Sequence, residues 1–197
     1  MNSELVFGLT SLATMIASIA FVVILHRVEP EFDPSWRMLS EYSLGRFGFL
    51  MRMAFIFGAA AVISGAVLLF HSTPVGAISL MLCATGPLGA AFVDTDPITT
   101  PRNQISARSK IHCALGSVFI LGFPLAATFA GTTSGSAILG WSSVLPWIGL
   151  VWFMRATLKH PAANGVGSPE QRIGWPNRIN MLTYFAWLAM VVLVSMA

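Results

Sequence analysis

The stretch AAFVDTDPITTPRNQISARSKIHCALG (Ala90–Gly116) joins one strongly apolar segment of the chain to another. Between the two it carries a pair of aspartates, several basic residues and a histidine. Apolar segments of about 20 residues recur on both sides of it, and this is the length that a helix needs to cross a bilayer core about 30 Å thick. The pattern predicts a polytopic membrane protein whose polar residues gather where helices leave the membrane.

The composition supports the same conclusion. Of the 197 residues, 55% are hydrophobic and only 10% are charged, whereas soluble domains carry about 25% charged residues. Only helices or closed barrels can satisfy the backbone within lipid, and these apolar runs are too long and too uniform for barrel strands. We therefore predict an all-α protein, a single six-helix transmembrane bundle over residues 1–197. Its spans are predicted at about 5–25, 49–70, 75–93, 111–130, 138–157 and 179–197.

The basic residues indicate how the bundle is oriented. All eleven Lys and Arg residues lie in or beside the loops that follow the first, third and fifth spans. Such residues concentrate in cytoplasmic loops, so both termini are expected to be extracytoplasmic. We expect the protein to lie in the inner (plasma) membrane of the cell. The net charge of +3 comes from these short loops, so we expect membrane lipids and no nucleic acid as partners. The sequence leaves the oligomeric state open.

Polar residues that could carry chemistry share this charged side of the membrane. Glu41 lies in the first loop, Asp94 and Asp96 end the third span, and His112 begins the fourth. Carboxylates with an imidazole are typical of general acid–base catalysis and of sites for hard or borderline metal ions. We therefore expect the four side chains to converge as candidate catalytic groups. Asp94, Asp96 and His112 are also candidate ligands of a divalent metal, whereas a haem between His26 and His112 is disfavoured.

The two aspartates have a structural alternative. Asp is frequent in turns and Pro97 ends a helix, so this stretch could be a stop signal only. If the third span continues as a helix through Asp94, the two-residue offset points the Asp94 and Asp96 side chains about 200° apart around the helix axis. We then expect Asp94 to face the bundle and Asp96 to cap a helix or meet a basic residue of the third loop. His112 could likewise be an interfacial bystander.

Two further stretches could contact lipid headgroups. A helix from Ser35 onward would place Glu41 and Arg52 on one face, although this could be a solvated interfacial helix. The stretch GWPNRIN (174–180) opens the sixth span, and its Arg178 could snorkel to lipid phosphates or turn inward to pair with an acid. Arg178, Arg52 and Asn180 are our candidate headgroup-binding residues.

Four motifs together resemble a known family. They are LHRVEPEFDPSWRMLSEYSLGRFGFL (25–50), FVDTDP (92–97), SKIH (109–112) and GWPNRIN (174–180). They are similar to the prokaryotic membrane family DUF998, which has no known activity, and the similarity covers nearly the whole chain. The resemblance implies a six-helix bundle with polar motifs on one face. The matching positions are Ser40, Glu41, Tyr42, Gly45, Asp94, Asp96, Pro97, His112 and Arg178.

Two kinds of function are compatible with these residues. The first is an integral membrane protein that binds, transports or responds to a lipid or amphiphile through a polar site at the cytoplasmic interface. The alternative is a membrane-embedded, hydrolase-like enzyme that acts on a lipid by metal or acid–base catalysis. Transport is disfavoured because no span carries a charge near its middle, where substrate sites usually lie. Metal catalysis lacks a strong ligand motif such as HExxH.

The orientation can be tested with reporter fusions. Alkaline phosphatase fused after Ala197 should be active, and a cytoplasmic fluorescent protein at the same place should be dark, because the basic loops hold the other side of the bundle in the cytoplasm. The same reporters placed after Arg102 should give the opposite pair of signals. An inactive phosphatase with a bright fluorescent fusion at Ala197 would reverse the topology.

Overall fold

The structure, a computed structural model, describes residues 3–159 and 166–197, and in that part of the chain it contains helices and no strands. Five helical segments are long and apolar enough to cross a membrane, and one shorter apolar helix accompanies them. The α-helices are α1 (Ser3–Val28), α2 (Gly48–Leu68), α3 (Pro74–Ala90), α4 (Ala107–Thr133), α5 (Ala137–Ser142), α6 (Val144–Lys159) and α7 (Gly174–Met196). Only Ser143 separates α5 from α6, and the two form one of the five long segments.

The helices pack as a ring in chain order. Helix α1 packs on α2, α2 on α3 and α3 on α4, while α4 contacts α6, α6 packs on α7 and α7 returns to α1. Helix α7 also contacts α2, α4 and α5. Its Tyr184 ring stacks on Phe123 of α4 with centroids 4.6 Å apart, and Trp187 meets Phe123 edge-on at 5.9 Å. This buried aromatic group fixes α7 against the far side of the ring.

The helices coincide with the six predicted apolar segments, but several ends differ from the prediction. Helix α4 begins at Ala107 rather than near residue 111, because Ser106 caps it by accepting the N–H of Ser109 at 3.1 Å. Helix α3 has 17 residues and ends at Ala90, before the predicted residue 93. Hydropathy locates apolar residues, whereas capping contacts decide where a helix begins and ends.

Three loops meet at one end of the bundle, which we call the charged end: residues 29–47, 91–106 and 166–173. The first loop contacts the start of α7 through the N–H of Gly174, which donates to Ser35 O. The second contacts the third through Gly167 N–H, which donates to Ile98 O at 2.8 Å. These backbone bonds make the three loops one layer across the bundle.

The predicted helix running from Ser35 into the second span is wrong. Only Leu39–Leu44 is helical, as a 3₁₀ helix, and Gly45 is extended with φ −79° and ψ 175°. The carboxylate of Glu29 lies directly beneath this break, where it accepts the N–H of Phe47. A Cβ at Gly45 would overlap that carboxylate, so glycine is required here for space and not for backbone conformation.

The close approach of the first loop to α7 yields a stability prediction. An added Cβ at Gly174 would lie 2.7 Å from Trp36 N and 2.9 Å from Arg37 O and would overlap Pro34 O. Gly174→Ala should therefore lower the free energy of unfolding by about 1–3 kcal/mol, measured by thermal unfolding in detergent. Gly116→Ala is the matched control, because its Cβ meets nothing within 4 Å and alanine favours helix. An unchanged melting temperature for Gly174→Ala would contradict the close contact.

Candidate functional site

A buried arginine organises the charged end. Arg178 is 4% exposed, and its Nε donates to Nε2 of His26 at 2.8 Å. Its Nη1 donates to the carbonyls of Arg37 at 2.8 Å and Gly174 at 3.0 Å. Among the described residues, no carboxylate forms an ion pair with this guanidinium. Nη2 of Arg178 donates to the Tyr42 hydroxyl at 3.4 Å. Arg178 therefore turns inward, as one expectation had it, but it bonds to carbonyls, an imidazole and a phenol instead of an acid.

The geometry around His26 fixes its tautomer. Its Nδ1 lies 2.6 Å from Val22 O, and because a carbonyl can only accept, Nδ1 carries the proton. The other nitrogen, Nε2, is then the acceptor that receives Arg178 Nε–H. Both ring nitrogens are occupied by protein groups, and the histidine acts as a link between α1 and α7.

Glu41 connects the first loop to the second. Its Oε2 accepts Met38 N–H and its Oε1 accepts Ile98 N–H, each at 2.8 Å. Arg37 Nη1 lies 2.9 Å from the same Oε1, and the carboxylate is 2% exposed. A buried carboxylate that receives two backbone N–H groups and a guanidinium is satisfied within the protein. Its observed contacts stabilise the loop layer.

Tyr42 and Glu29 complete this network. Tyr42 is fully buried and its hydroxyl donates to Phe32 O at 3.1 Å. Burial raises the pKa of Tyr42 above its ordinary value, so the phenol keeps the proton that this bond requires. Glu29 is also fully buried, and its second oxygen, Oε2, has no hydrogen-bond partner among the described residues. The sequence analysis did not identify Glu29, which lies in a proline-rich stretch that is typical of a solvated loop.

The two aspartates play different parts: the expected inward direction of Asp94 is wrong, whereas Asp96 does bind a helix start as expected. Asp94 lies at the surface in ion pairs with Arg52 at 2.8 Å and Arg108 at 3.7 Å. Asp96 accepts the N–H of Ser106 at 2.6 Å and its hydroxyl at 3.0 Å, which fastens the beginning of α4. Asp96, not Asp94, lies on the wall of the internal cavity described below.

His112 is held by the backbone that follows α3. The ring is 6% exposed, and its Nδ1 lies 2.6 Å from Val93 O. Because the carbonyl only accepts, this nitrogen also carries a proton, and in the neutral ring the lone pair is on Nε2. The edge of Phe55 packs against the ring with centroids 6.1 Å apart. His112 therefore has a fixed orientation on the inner side of α4.

An internal cavity of about 520 Å³ lies above the loop layer. Most of its wall is apolar, and its inner part is lined by residues such as Gly58, Phe119 and Phe185. At the charged end its wall includes Glu41, Asp96, His112 and Asn177. The structure thus brings three of the four candidate catalytic residues to one cavity and leaves Asp94 outside it.

The structure does not assemble the candidate metal site. Within residues 3–159 and 166–197, no three His, Cys, Asp or Glu side chains are grouped so that they could share a metal ion. Asp94 faces two arginines, and Asp96 is engaged by Ser106. The geometry therefore offers no three-ligand set made of Asp94, Asp96 and His112.

The candidate headgroup residues are also separated. Arg178 is buried in the loop layer, while Arg52 is 43% exposed beside Asp94. Asn180 is fully buried and does not line the cavity. A surface groove between α6 and α7, which the sequence analysis did not identify, gathers exposed aromatic and basic side chains. They include Trp152, Trp175, Arg155, Lys159 and Arg172.

The role of the buried guanidinium can be tested by a conservative substitution. Arg178→Lys keeps the charge but loses the planar fork, so that several buried acceptors are left unpaired. We expect a loss of about 3 kcal/mol of stability, seen as a melting temperature lowered by about 6–12 °C. Arg172→Lys makes the same change at an exposed position of the same end and should leave the melting temperature unchanged. Equal melting temperatures for the two variants would contradict the anchoring role.

Comparison with known proteins places the chain in a family. No curated protein and no solved structure matches the chain. The model of the family described as "Protein of unknown function (DUF998)" matches residues 12–194. The motifs that carry the resemblance lie mostly in the loop layer and its anchors. With nearly its whole length matched, the chain belongs to the DUF998 family of proteins of unknown function.

Proposed function

We propose that this protein is a six-span protein of the inner membrane that binds one amphiphile in its internal cavity. The apolar part of the ligand would lie between the helices, and its polar end would face the loop layer. The observation that carries this proposal is the cavity itself, which borders a structured polar layer at one end and has a mostly apolar wall.

The size of the cavity supports a small ligand. Its volume of about 520 Å³ lies within the range of about 300–1,000 Å³ that is typical of ligand pockets. On α4 the wall runs from Ser109 to Ile120, which corresponds to about 16 Å along the helix axis. These dimensions suit one alkyl chain of medium length rather than a complete two-chain phospholipid.

The surface supports the membrane placement. The groove between α6 and α7 places Trp152 and Trp175 beside three exposed basic side chains at the charged end. Tryptophan and basic residues concentrate at the cytoplasmic membrane interface. Helix α3, although short, closes the ring between α2 and α4, which supports its inclusion as the third of six spans with both termini outside. The exposed basic groups are suited to contact lipid headgroups in place of Arg178 and Asn180.

Enzymatic activity has less support than binding. Acid–base catalysis would require a carboxylate oriented toward His112, but its Nδ1 is held by a backbone carbonyl, and Glu41 and Asp96 are engaged by other groups. A lipid-directed hydrolase would retain one suitable group, the unprotonated nitrogen of His112. We therefore keep binding as the proposal and hydrolysis as the alternative.

Filling the cavity tests the proposal. Gly116 lines the cavity and its Cβ would meet nothing within 4 Å, so Gly116→Leu should fold while its side chain occupies ligand space. We expect the full-length protein in amphipol, free of detergent, to bind tritium-labelled dodecanol, and Gly116→Leu to bind it at least about tenfold more weakly.

The control for this experiment is Ala114→Leu. Ala114 lies on the same helix but is exposed and does not line the cavity, so the same leucine should leave binding unchanged. Equal affinities of the wild-type protein and Gly116→Leu would place the ligand elsewhere. The absence of saturable binding to the wild-type protein would argue against the proposed function.

A further inference from the structure

His112 presents an unused hydrogen-bond acceptor to the cavity. Its Nδ1 is committed to Val93 O, so in the neutral ring Nε2 carries a lone pair. The structure shows no hydrogen bond from a protein group of the described residues to that nitrogen, and the residue as a whole is 6% exposed. The residue lines the cavity wall. An acceptor on a cavity wall that no protein group bonds is available to water or to a ligand.

Two hydroxyls of α4 that also line the cavity already form hydrogen bonds within the protein. The hydroxyl of Ser117 donates to Cys113 O at 2.8 Å, and that of Ser109 accepts the N–H of Asp96 at 3.0 Å. His112 thus presents a nitrogen acceptor on this helix that no protein group of the described residues bonds. On α7, Asn177 Oδ1 accepts Leu39 N–H at 3.1 Å, which leaves the NH₂ end of its amide for another acceptor.

The charges on the wall disfavour an anionic headgroup. Glu41 and Asp96 both line the cavity. Arg37 pairs with Glu41, but no Lys, Arg or His in the described chain pairs with Asp96. A carboxylate or phosphate placed here would meet an acceptor lone pair and the negative charge of Asp96, which is hydrogen-bonded to Ser106 but has no paired cation among the described residues. An uncharged donor would meet neither penalty.

We propose that the polar end of the bound amphiphile is a hydroxyl, which donates its proton to Nε2 of His112. A hydroxyl is favoured over other donors because it can also accept, so that the free amide N–H of Asn177 has a possible partner in the same head. This inference rests on the proposed function, since it names the chemical class of the ligand that the cavity would hold.

The test compares three ligands that share one alkyl chain and differ at the head. They are dodecanol, its methyl ether and dodecanoate, each labelled with tritium and bound to the full-length protein in amphipol. The ether keeps the oxygen but has no proton to donate, and the carboxylate adds a negative charge. We expect the wild-type protein to bind dodecanol about tenfold more tightly than either of the others, as is typical for one buried hydrogen bond.

The matching variant is His112→Asn. The amide nitrogen of asparagine can occupy the place of Nδ1 and keep the bond to Val93 O, while the acceptor at the place of Nε2 is lost. The ratio of alcohol to ether affinity should fall to near one in this variant. Because both ligands are measured on the same preparation, partial loss of folded protein cancels from the ratio. Ser117→Ala is the control, since its hydroxyl is already bonded to Cys113 O, and it should keep the tenfold ratio.

The outcomes separate the inference from the function on which it rests. A tenfold ratio in the wild-type protein and in Ser117→Ala, lost in His112→Asn, supports the hydroxyl. Equal binding of alcohol and ether to the wild-type protein, or tightest binding of dodecanoate, overturns the inference while cavity binding stands. An unchanged ratio in His112→Asn overturns the role of His112. Binding of none of the three ligands overturns both proposals.

Discussion

The guanidinium of Arg178 is the group on which the charged end depends. A buried charge without a counter-ion must be surrounded by oriented dipoles, and here these come from three separated parts of the chain: His26 on α1, the carbonyl of Arg37 in the first loop and the carbonyl of Gly174 at the start of α7. The guanidinium can be satisfied only when all three are in place. It therefore couples the fold of the first loop to the packing of α1 against α7.

That coupling reaches the cavity through a short series of contacts. The first loop, once anchored, presents Glu41, whose carboxylate holds Ile98 N–H of the second loop. The second loop contains Val93, whose carbonyl binds Nδ1 of His112 and so determines which nitrogen of that ring faces the ligand space. A substitution at Arg178 is therefore expected to disturb ligand selectivity as well as stability. The effect would pass through the loop contacts, because no direct contact joins Arg178 to His112.

Much of the fold could be predicted from the sequence, because apolar length and charge placement reflect constraints that every membrane helix obeys. The convergence of the loops at one end followed from the same constraints. The aspartates show where this reasoning stops. Their expected directions assumed that α3 continues through Asp94, whereas the helix ends at Ala90, and beyond a helix end the rotation of about 100° per residue no longer applies.

Other parts of the site depend on contacts between distant residues, which no local pattern encodes. Glu29 lies in a stretch with two prolines and has the composition of a solvated loop, yet it is fully buried beneath Gly45. In the sequence, Gly45 would indicate this burial only if its contact with the Glu29 carboxylate were already known. Likewise, the burial of Glu41 depends on Ile98, 57 residues away in the sequence.

The contacts also suggest how structural and functional residues can be distinguished in such a bundle. Motif residues that are fully bonded within the protein, such as Glu41 and Arg178, account for the architecture and leave nothing for a ligand. An unpaired buried group is informative only when it also borders open space. Oε2 of Glu29 is buried and has no partner among the described residues, but Glu29 does not line the cavity. Nε2 of His112 has no protein partner in the described chain, and His112 lies on the cavity wall. Ligand chemistry is therefore best inferred from a lone pair that the protein orients toward open space and does not itself bond.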